Sequence, residues 1–430
     1  MAASCQAAGP SYTTSGDVNP ALDPGDAISD TAEAWRSWVA MHSRYDGPFA
    51  EEVRRSALIL QGLTYQPSGA LVAAATTSLP ERVGGAWNWD YRFTWLRDAS
   101  LTLNARWVAT CPHEPWRFFK WIENAGIRTG ASPLQIMYDV EGGADLTEHT
   151  LEHLDGFLGS RPVRIGNDAW TQSQLDVVGE VLDAAYLMRN QLGELAEPTR
   201  VLLVRLADEA AARWHEPDAG MWESRDVPRH YVSSKVMSWV ALDRAVRMTD
   251  MLAEPEKASS WVVQRDALHA EVLDKGWSDE AGAYGGAYGS DHLDASVLLM
   301  PIVGFLPAND KRMLATIHAI DERLGDGGLV RRWAEEPNAF LICSYWLVQC
   351  LALADETERA TAYFETVTAH ANDVGILAEM VDRATGQLLG NTPQAFSHIG
   401  LINAAWTLSG NGLPEVNVPG SGVRRPGRLT

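Results

Sequence analysis

About twelve segments with helical periodicity, joined by loops of very uneven length, constrain the fold of this chain more than any other feature. They lie near Glu51–Tyr65, Asp98–Ala109, Pro115–Ala125, Ser173–Leu192, Glu197–Trp214, Val232–Leu252, Glu256–Lys275, Asp294–Met300, Asn309–Leu324, Asn338–Leu353, Glu356–Ala371 and Gln394–Leu408. In each, apolar residues recur at the three- and four-residue intervals that line one face of a helix. A shorter helix, Thr31–His42, precedes them with Asp30 as its N-cap. No motif recurs at a fixed period, which excludes a solenoid of equal repeats. The chain has neither a strand–helix alternation nor a glycine-rich phosphate loop opening a helix, so a nucleotide-binding fold is not expected. The pattern fits an all-α fold, one closed barrel of paired helices whose loops at one end build the site. Residues 1–30 read as a flexible arm, 31–410 as the barrel and 411–430 as a tail.

The formal net charge of -21 over 430 residues argues against nucleic acid and against an anionic membrane surface, both of which need a surplus of Lys and Arg. A neutral small molecule remains the expected partner. The 17 Trp serve either as core or as platforms on which the C–H face of a sugar ring can stack. Cys343 and Cys350 would lie two helical turns apart, too far for a disulfide, and no C-x-x-C pair exists. With Cys5 and Cys111 they read as reduced thiols. Met1 to Pro20 lacks the basic start and apolar core of a secretory signal, and no 18-residue apolar run occurs. The expected location is the cytoplasm.

Two loops, Gln66–Thr94 and Gln135–Ala169, are longer than packing requires and hold aromatic and acidic residues, which favours function. A short hairpin is expected around Pro67–Gly69. Three segments carry chemistry. In Gly84 to Ala99, Arg97 and Asp98 are an adjacent donor–acceptor pair able to clasp vicinal sugar hydroxyls, although Asp98 alone reads equally well as a helix cap. In Gly220-Met221-Trp222-Glu223-Ser224-Arg225, an apolar neighbour can raise the carboxyl pKa of Glu223 and keep its proton available. Alone, Glu223 also reads as a surface residue paired with Arg225. Glu379 sits in the apolar run Gly375 to Val381, where a buried carboxyl needs partners or a function, unless it simply points to solvent. His398 has no second His at metal-ligand spacing, so no metal is expected.

Together these segments resemble glycoside hydrolase family 15, the glucoamylase family, from about Trp35 to Leu408. The motifs appear in order: Trp-Asn-Trp-Asp-Tyr-Arg at 87–92, Trp-Leu-Arg-Asp at 95–98, Met-Trp-Glu at 221–223, Ser-Lys-Val-Met-Ser-Trp at 234–239, Gly-Leu-Val-Arg-Arg-Trp at 328–333 and Gly-Asn-Thr-Pro-Gln-Ala-Phe-Ser-His at 390–398. The resemblance implies an (α/α)6 barrel, with Glu223 matching the general acid and Glu379 the general base. Arg97 and Asp98 match residues that hold the terminal glucose, with Tyr91, Trp95 and Trp222 nearby and Arg332 as a further contact. Trp170 looks like the aromatic of the next subsite. The sequence departs from the family where Trp333 follows Arg332, a place often held by Tyr, and in beginning only about thirty residues before the barrel.

The implied chemistry is exo-acting hydrolysis that releases glucose from the non-reducing end of a short α-glucoside. One displacement inverts the anomeric carbon, and the two carboxyls stand about 6.5–9.5 Å apart to admit a water. No metal or organic cofactor is required. Expected cytoplasmic location and compactness favour an α-1,6 link such as isomaltose, with discrimination arising from loops around Asp139–Gly143 and Trp170. The alternatives are α,α-trehalase, α-1,4 glucoamylase, and a sugar-binding barrel without catalysis, which would normally have lost one carboxyl.

Overall fold

The structure, a computed structural model, describes residues 23–109, 117, 120–125 and 134–411. Six inner helices form its centre: Leu96–Ala109, Asp176–Leu187, Val232–Arg247, the 3-10 turn Ala295–Leu298 running into Leu299–Ile302, Leu341–Leu353, and Ala395–Trp406. Each packs on the next and the sixth returns to the first, so the ring closes. The sequence dictates this placement. Every residue from Val232 to Ala245, and every residue from Leu341 to Leu351, is buried, and a helix buried on all sides belongs inside.

The outer helices bury one stripe instead. Lys311–Leu324 buries Met313, Thr316, Ile317, Ala319, Ile320, Asp321 and Leu324 and leaves the opposite side to solvent. Ala50–Gly62, Glu197–Arg213, Pro255–Lys275 and Thr357–Thr368 pack against the inner ring in the same way. The result is the (α/α)6 barrel.

The strands are two-residue pieces that pin loops. Thr64–Tyr65 pairs antiparallel with Ala70–Leu71, the hairpin expected around Pro67–Gly69. A three-stranded patch, Ala339–Phe340, Met380–Val381 and Leu388–Leu389, sets the start of the fifth inner helix beside Glu379. Pairing of Ala339 and Phe340 is why that helix begins at Leu341 and not at Asn338.

Other boundaries move for local reasons. The first helix runs Pro24–His42, because Asp23 Oδ1 accepts the Gly25 and Asp26 amides at 2.8 and 3.3 Å and Pro24 presets the first turn. Asp23, not Asp30, is the cap, so residues 24–30 of the expected arm are helical. Ser173–Leu192 and Val232–Leu252 each break at one residue, Met188 and Met248, into a long helix and one further turn. Of Pro115–Ala125, the described residues 117 and 120–125 are helical, and the remainder lies outside the described residues, as do Cys5, Cys111, most of the arm and nearly all of the tail. Cys343 and Cys350 are free and buried within one inner helix. No helix among the described residues is long and apolar enough to cross a membrane.

The second and third inner helices approach closely at Gly179. A Cβ built there would lie 2.1 Å from the Met237 carbonyl oxygen, and backbone cannot swing aside. Gly179→Ala is therefore expected to destabilise the protein by about 1–3 kcal/mol, a typical overpacking cost. A thermal melt checks this, and an unchanged Tm would disprove the contact.

Candidate active site

The N-terminal ends of the inner helices converge on one cavity of about 610 Å³. Arg97 and Asp98 enter it from the first helix, Ser233 from the third and Phe396 from the sixth, while Trp95, Asp294, Phe340 and Gln394 are the residues just before the first, fourth, fifth and sixth. The long loops supply Trp87, Trp89 and Tyr91 on one side and Trp222 to Arg229 on another. Glu223 and Glu379 both line it, although 156 residues separate them in sequence.

Glu223 occupies a tight turn with φ +60°, in the left-handed region that costs a non-glycine residue about 1–3 kcal/mol. Several bonds hold the turn. The Glu223 amide donates to Gly220 O and the Ser224 amide to Ala219 O, both at 3.1 Å. Gln172 Nε2 donates to the Glu223 and Ser224 carbonyls, each at 3.2 Å. Lys235, fully buried, donates Nζ to Trp214 O at 2.6 Å and to Glu216 O, which anchors the start of the loop.

The Glu223 carboxyl is met by two donors on one oxygen. Trp95 Nε1 lies 2.6 Å from Oε1 and the Arg97 guanidinium 3.5 Å from it. Burial raises the pKa of Glu223, Asp176 adds to this, and Arg97 and Trp95 oppose it. The group keeps a proton to higher pH than an ordinary carboxyl, as a proton donor should.

Glu379 is set differently. Its backbone carbonyl accepts the Leu341 amide at 3.1 Å, and Tyr91 Oη donates to Oε1 at 2.8 Å. Its Oε2 is buried without a hydrogen-bond partner among the described residues. Gly390, at φ +76°, passes so close that a Cβ there would fall 2.7 Å from Oε2. Burial pushes the pKa of Glu379 well up, neighbouring Glu81 pushes the same way, and Arg332 and the Tyr91 phenol pull it down. The unpartnered oxygen leaves a place for a water, and Arg332 and Tyr91 are the groups that favour the ionised form a water-activating base requires.

The other expected residues fall into place unevenly. Arg97 reaches Gln174 Oε1 at 3.2 Å and Asp176 Oδ2 at 3.3 Å. Burial works against its charge, and Asp176, Asp98 and Glu223 outweigh that effect. Asp98 lines the cavity, with its pKa raised to about 7 by burial against the opposing pull of Arg97. Tyr91 meets Trp95 edge-on at 5.5 Å. Trp222 Nε1 donates to Asp294 Oδ1 at 2.9 Å. Arg332 lines the cavity, but its guanidinium is gripped by Glu336 at 2.5 and 3.1 Å and Glu81 at 2.6 Å, under Trp333 and Phe340 at 4.8 Å each. Trp170 is not on the wall. Its 3-10 turn, Asp168–Thr171, presents Ala169 to the cavity and packs Trp170 against the core. Nor does Asp139–Gly143 reach it, being closed on itself by Asp139 Oδ1, which accepts the Glu141 and Gly143 amides at 2.8 and 2.7 Å.

Sequence reasoning missed Glu81, Gln172, Gln174, Asp176, Asp294 and Glu336. Glu336 alone carried a signal, standing four residues after Arg332. The others look like ordinary loop or cap residues until the fold brings them together. His398 is buried with both ring nitrogens engaged, Nδ1 with Ser56 Oγ at 3.0 Å and Nε2 with the Leu377 amide at 3.2 Å. It buttresses the strand end that carries Glu379. Among the described residues no three His, Cys, Asp or Glu are grouped to hold a metal ion.

The fold and site together define a helical barrel with two carboxyls, differently dressed, in one polar and aromatic cavity. The model of glycosyl hydrolases family 15 matches residues 47–357 and 352–406, and the chain belongs to that family. It is 42% identical over 393 residues to a protein named trehalase from Mycolicibacterium smegmatis, which covers 89% of this chain and 59% of the relative. A trehalase from Thermoplasma acidophilum is 36% identical over 385 residues, covering 88% of this chain and 66% of the relative. The chain thus spans less than two thirds of the length of these relatives. A bacterial glucoamylase complexed with acarbose shares the fold, with TM-score 0.72 at 15% identity over 91% of this chain and 60% of that one. A structure titled as a wild-type glycosidase shares it at TM-score 0.66 and 21% identity, covering 83% and 96%.

The charge set around Glu379 makes a directional prediction. Glu81→Gln removes a negative neighbour and leaves Arg332 less neutralised, and both effects favour ionised Glu379. The acid limb of kcat/KM, where the base must lose its proton, is expected to move to lower pH. A pH–rate profile measures it, and a limb that stays or moves to higher pH would separate Glu379 from the Glu81–Arg332 set.

Proposed function

We propose that this chain hydrolyses α,α-trehalose to two glucose molecules by one inverting displacement. The observation that carries the reading is the asymmetry of the two carboxyls. Glu223 accepts from Trp95 and Arg97 on one oxygen, whereas Glu379 accepts from Tyr91 on one oxygen and presents the other, unpartnered among the described residues, in the same cavity. Glu223 donates its proton to the glycosidic oxygen as the C1–O bond breaks. Glu379 takes a proton from the water whose oxygen bonds to C1 on the opposite face. Asp98 and Arg97 hold the ring undergoing substitution, and Tyr91 keeps Glu379 in place.

Trehalose is favoured over isomaltose by two observations. The curated relatives at 42 and 36% identity are named trehalase. The loops expected to select an α-1,6 link do not line the cavity. Its rim carries Asp226, Arg229, Ser290, His292 and Glu335, a density of polar groups suited to a second sugar that is itself a glucose with hydroxyls on every side. The volume is in the range of pockets that enclose small ligands.

Glucose release from trehalose, isomaltose and maltose, measured in parallel, tests the substrate. Trehalose is expected to lead in kcat/KM by about 10–200-fold, the range that one or two pocket contacts supply. An enzyme that prefers isomaltose would refute the reading. Proton NMR of early product tests the displacement. Inversion gives one β-glucose, from the attacked ring, and one α-glucose, from the leaving ring, whereas retention gives α-glucose alone. Glu223→Gln keeps the shape but has no proton to give, so kcat should fall about 10²–10⁴-fold while binding persists. A variant within a few-fold of wild type would show the acid to be another group.

A further inference from the structure

Two residues beyond Glu223, Arg225 leaves the turn and joins a cluster that none of the catalytic steps uses. Its guanidinium carbon lies 4.4 Å from the centre of the Trp89 ring. Arg164 lies 4.6 Å from the same centre. Glu148 bridges the two cations, accepting from Arg225 at 3.0 Å on Oε2 and from Arg164 Nε at 2.8 Å on Oε1. Arg164 is itself fixed, donating to Ala86 O and Asn88 O at 3.0 and 2.9 Å. Its amide bonds Ser78 Oγ at 2.8 Å. Trp89 in turn is tied through its carbonyl to Asn391 Nδ2 at 2.9 Å. The cluster therefore joins three distant loops, 86–90, 148–164 and 223–225, and continues to the loop of Gly390 that grazes Glu379.

We propose that Arg225 is a positioning residue for the general acid, clamped by Glu148 and the Trp89 ring so that the turn holds Glu223 at its left-handed backbone angle and its carboxyl against Trp95. The proposal rests on the reading of Glu223 as the acid. The physical need is clear. A strained residue persists only where its surroundings over-determine it. The hydrogen bonds of the turn close its N-terminal side, from Ala219 to Ser224, and Gln172 holds its carbonyls. On the C-terminal side the Asp226 amide bonds Ser224 Oγ at 3.1 Å and Arg229 pairs back with Asp218, and between these the Arg225 clamp is the side-chain hold nearest to Glu223. Cation–ring and ion-pair contacts sharing one carboxylate form a network, not an isolated surface pair, so they can fix geometry although Arg225 is half exposed.

The test separates proton delivery from everything else. α-D-Glucosyl fluoride has a leaving group that departs without full protonation, whereas trehalose needs the proton of Glu223. Arg225→Ala is expected to lower kcat on trehalose by about 10–100-fold, the scale of a misplaced catalytic group. On the fluoride the loss should be several-fold smaller. Arg225→Lys, which keeps the charge opposite Glu148 but loses the planar stack, should recover part of the trehalose rate. If Arg225→Ala fails to fold, Glu148→Gln carries the same comparison with a folded-state check by thermal melt. Equal losses on both substrates, or no loss, would overturn the proposal. A wild-type enzyme inactive on both substrates, or a Glu223→Gln variant fully active on trehalose, would instead overturn the reading on which it rests.

Discussion

Five inner-helix N-termini facing one cavity, with that of the second beside them behind Arg97, are the constraint on which the rest of this structure depends. Each brings unpaired N–H groups and the positive end of a helix dipole to the same small volume. Acidic side chains are the natural answer, and the cavity collects them. Asp294 caps the fourth inner helix by accepting the Ser296 amide at 2.8 Å while it holds Trp222. Asp98 sits in the first turn of the first, and Asp176 in the first turn of the second. The architecture stabilises a concentration of carboxyls that an ordinary protein surface would disperse, and Glu223 and Glu379 join it from the loops.

Burial converts that concentration into differences of role. Glu81, Glu336 and Glu379 share one guanidinium, that of Arg332, so the set cannot carry three full negative charges without cost. Glu223 faces Arg97, which is also held by Asp176. Each carboxyl thus has a cation in view but does not own it, which keeps proton affinity high and makes it adjustable by substrate. The position of Arg332 changes its expected role. Its Nε and Nη2 donors are engaged by Glu336 and Glu81, so it holds the charge balance of this set while still lining the cavity.

How much of this was legible in the chain depends on the range of the interaction involved. The inner helices announce themselves through largely apolar runs such as Leu341 to Leu351, broken only by Ser344 and Gln349, because burial on all sides removes the charged face. Helix ends were less legible, since Ala339–Phe340 is a strand only because Met380–Val381 lies beside it. The two glutamates were visible as carboxyls in apolar company, but solvent-facing readings were equally available until family motifs ordered them. Glu81 and Asp176 could not be found this way. Nothing in Leu79-Pro80-Glu81-Arg82 distinguishes a residue that meets Arg332, 251 positions later, from one that meets water. Trp170 misled because aromatic composition says nothing of which side of a 3-10 turn faces the cavity.

The substrate reading follows from the same distinction. Features set by the barrel, the converging helix ends and their carboxyls, concern the ring whose anomeric carbon is attacked, and these are shared by every α-glucoside the family could take. Features set by loops concern the other sugar. Here the loop contribution is a rim of Asp226, Arg229, Ser290, His292 and Glu335 together with the Trp89 ring, itself occupied by Arg164 and Arg225. A ring face already engaged by guanidinium groups is poorly placed to stack a long, sliding glucan. Polar groups that bond directionally demand a partner of fixed shape with hydroxyls to match. A wall of this kind discriminates by what it leaves unpaired, and on the proposed reading a compact disaccharide of two glucose units leaves least.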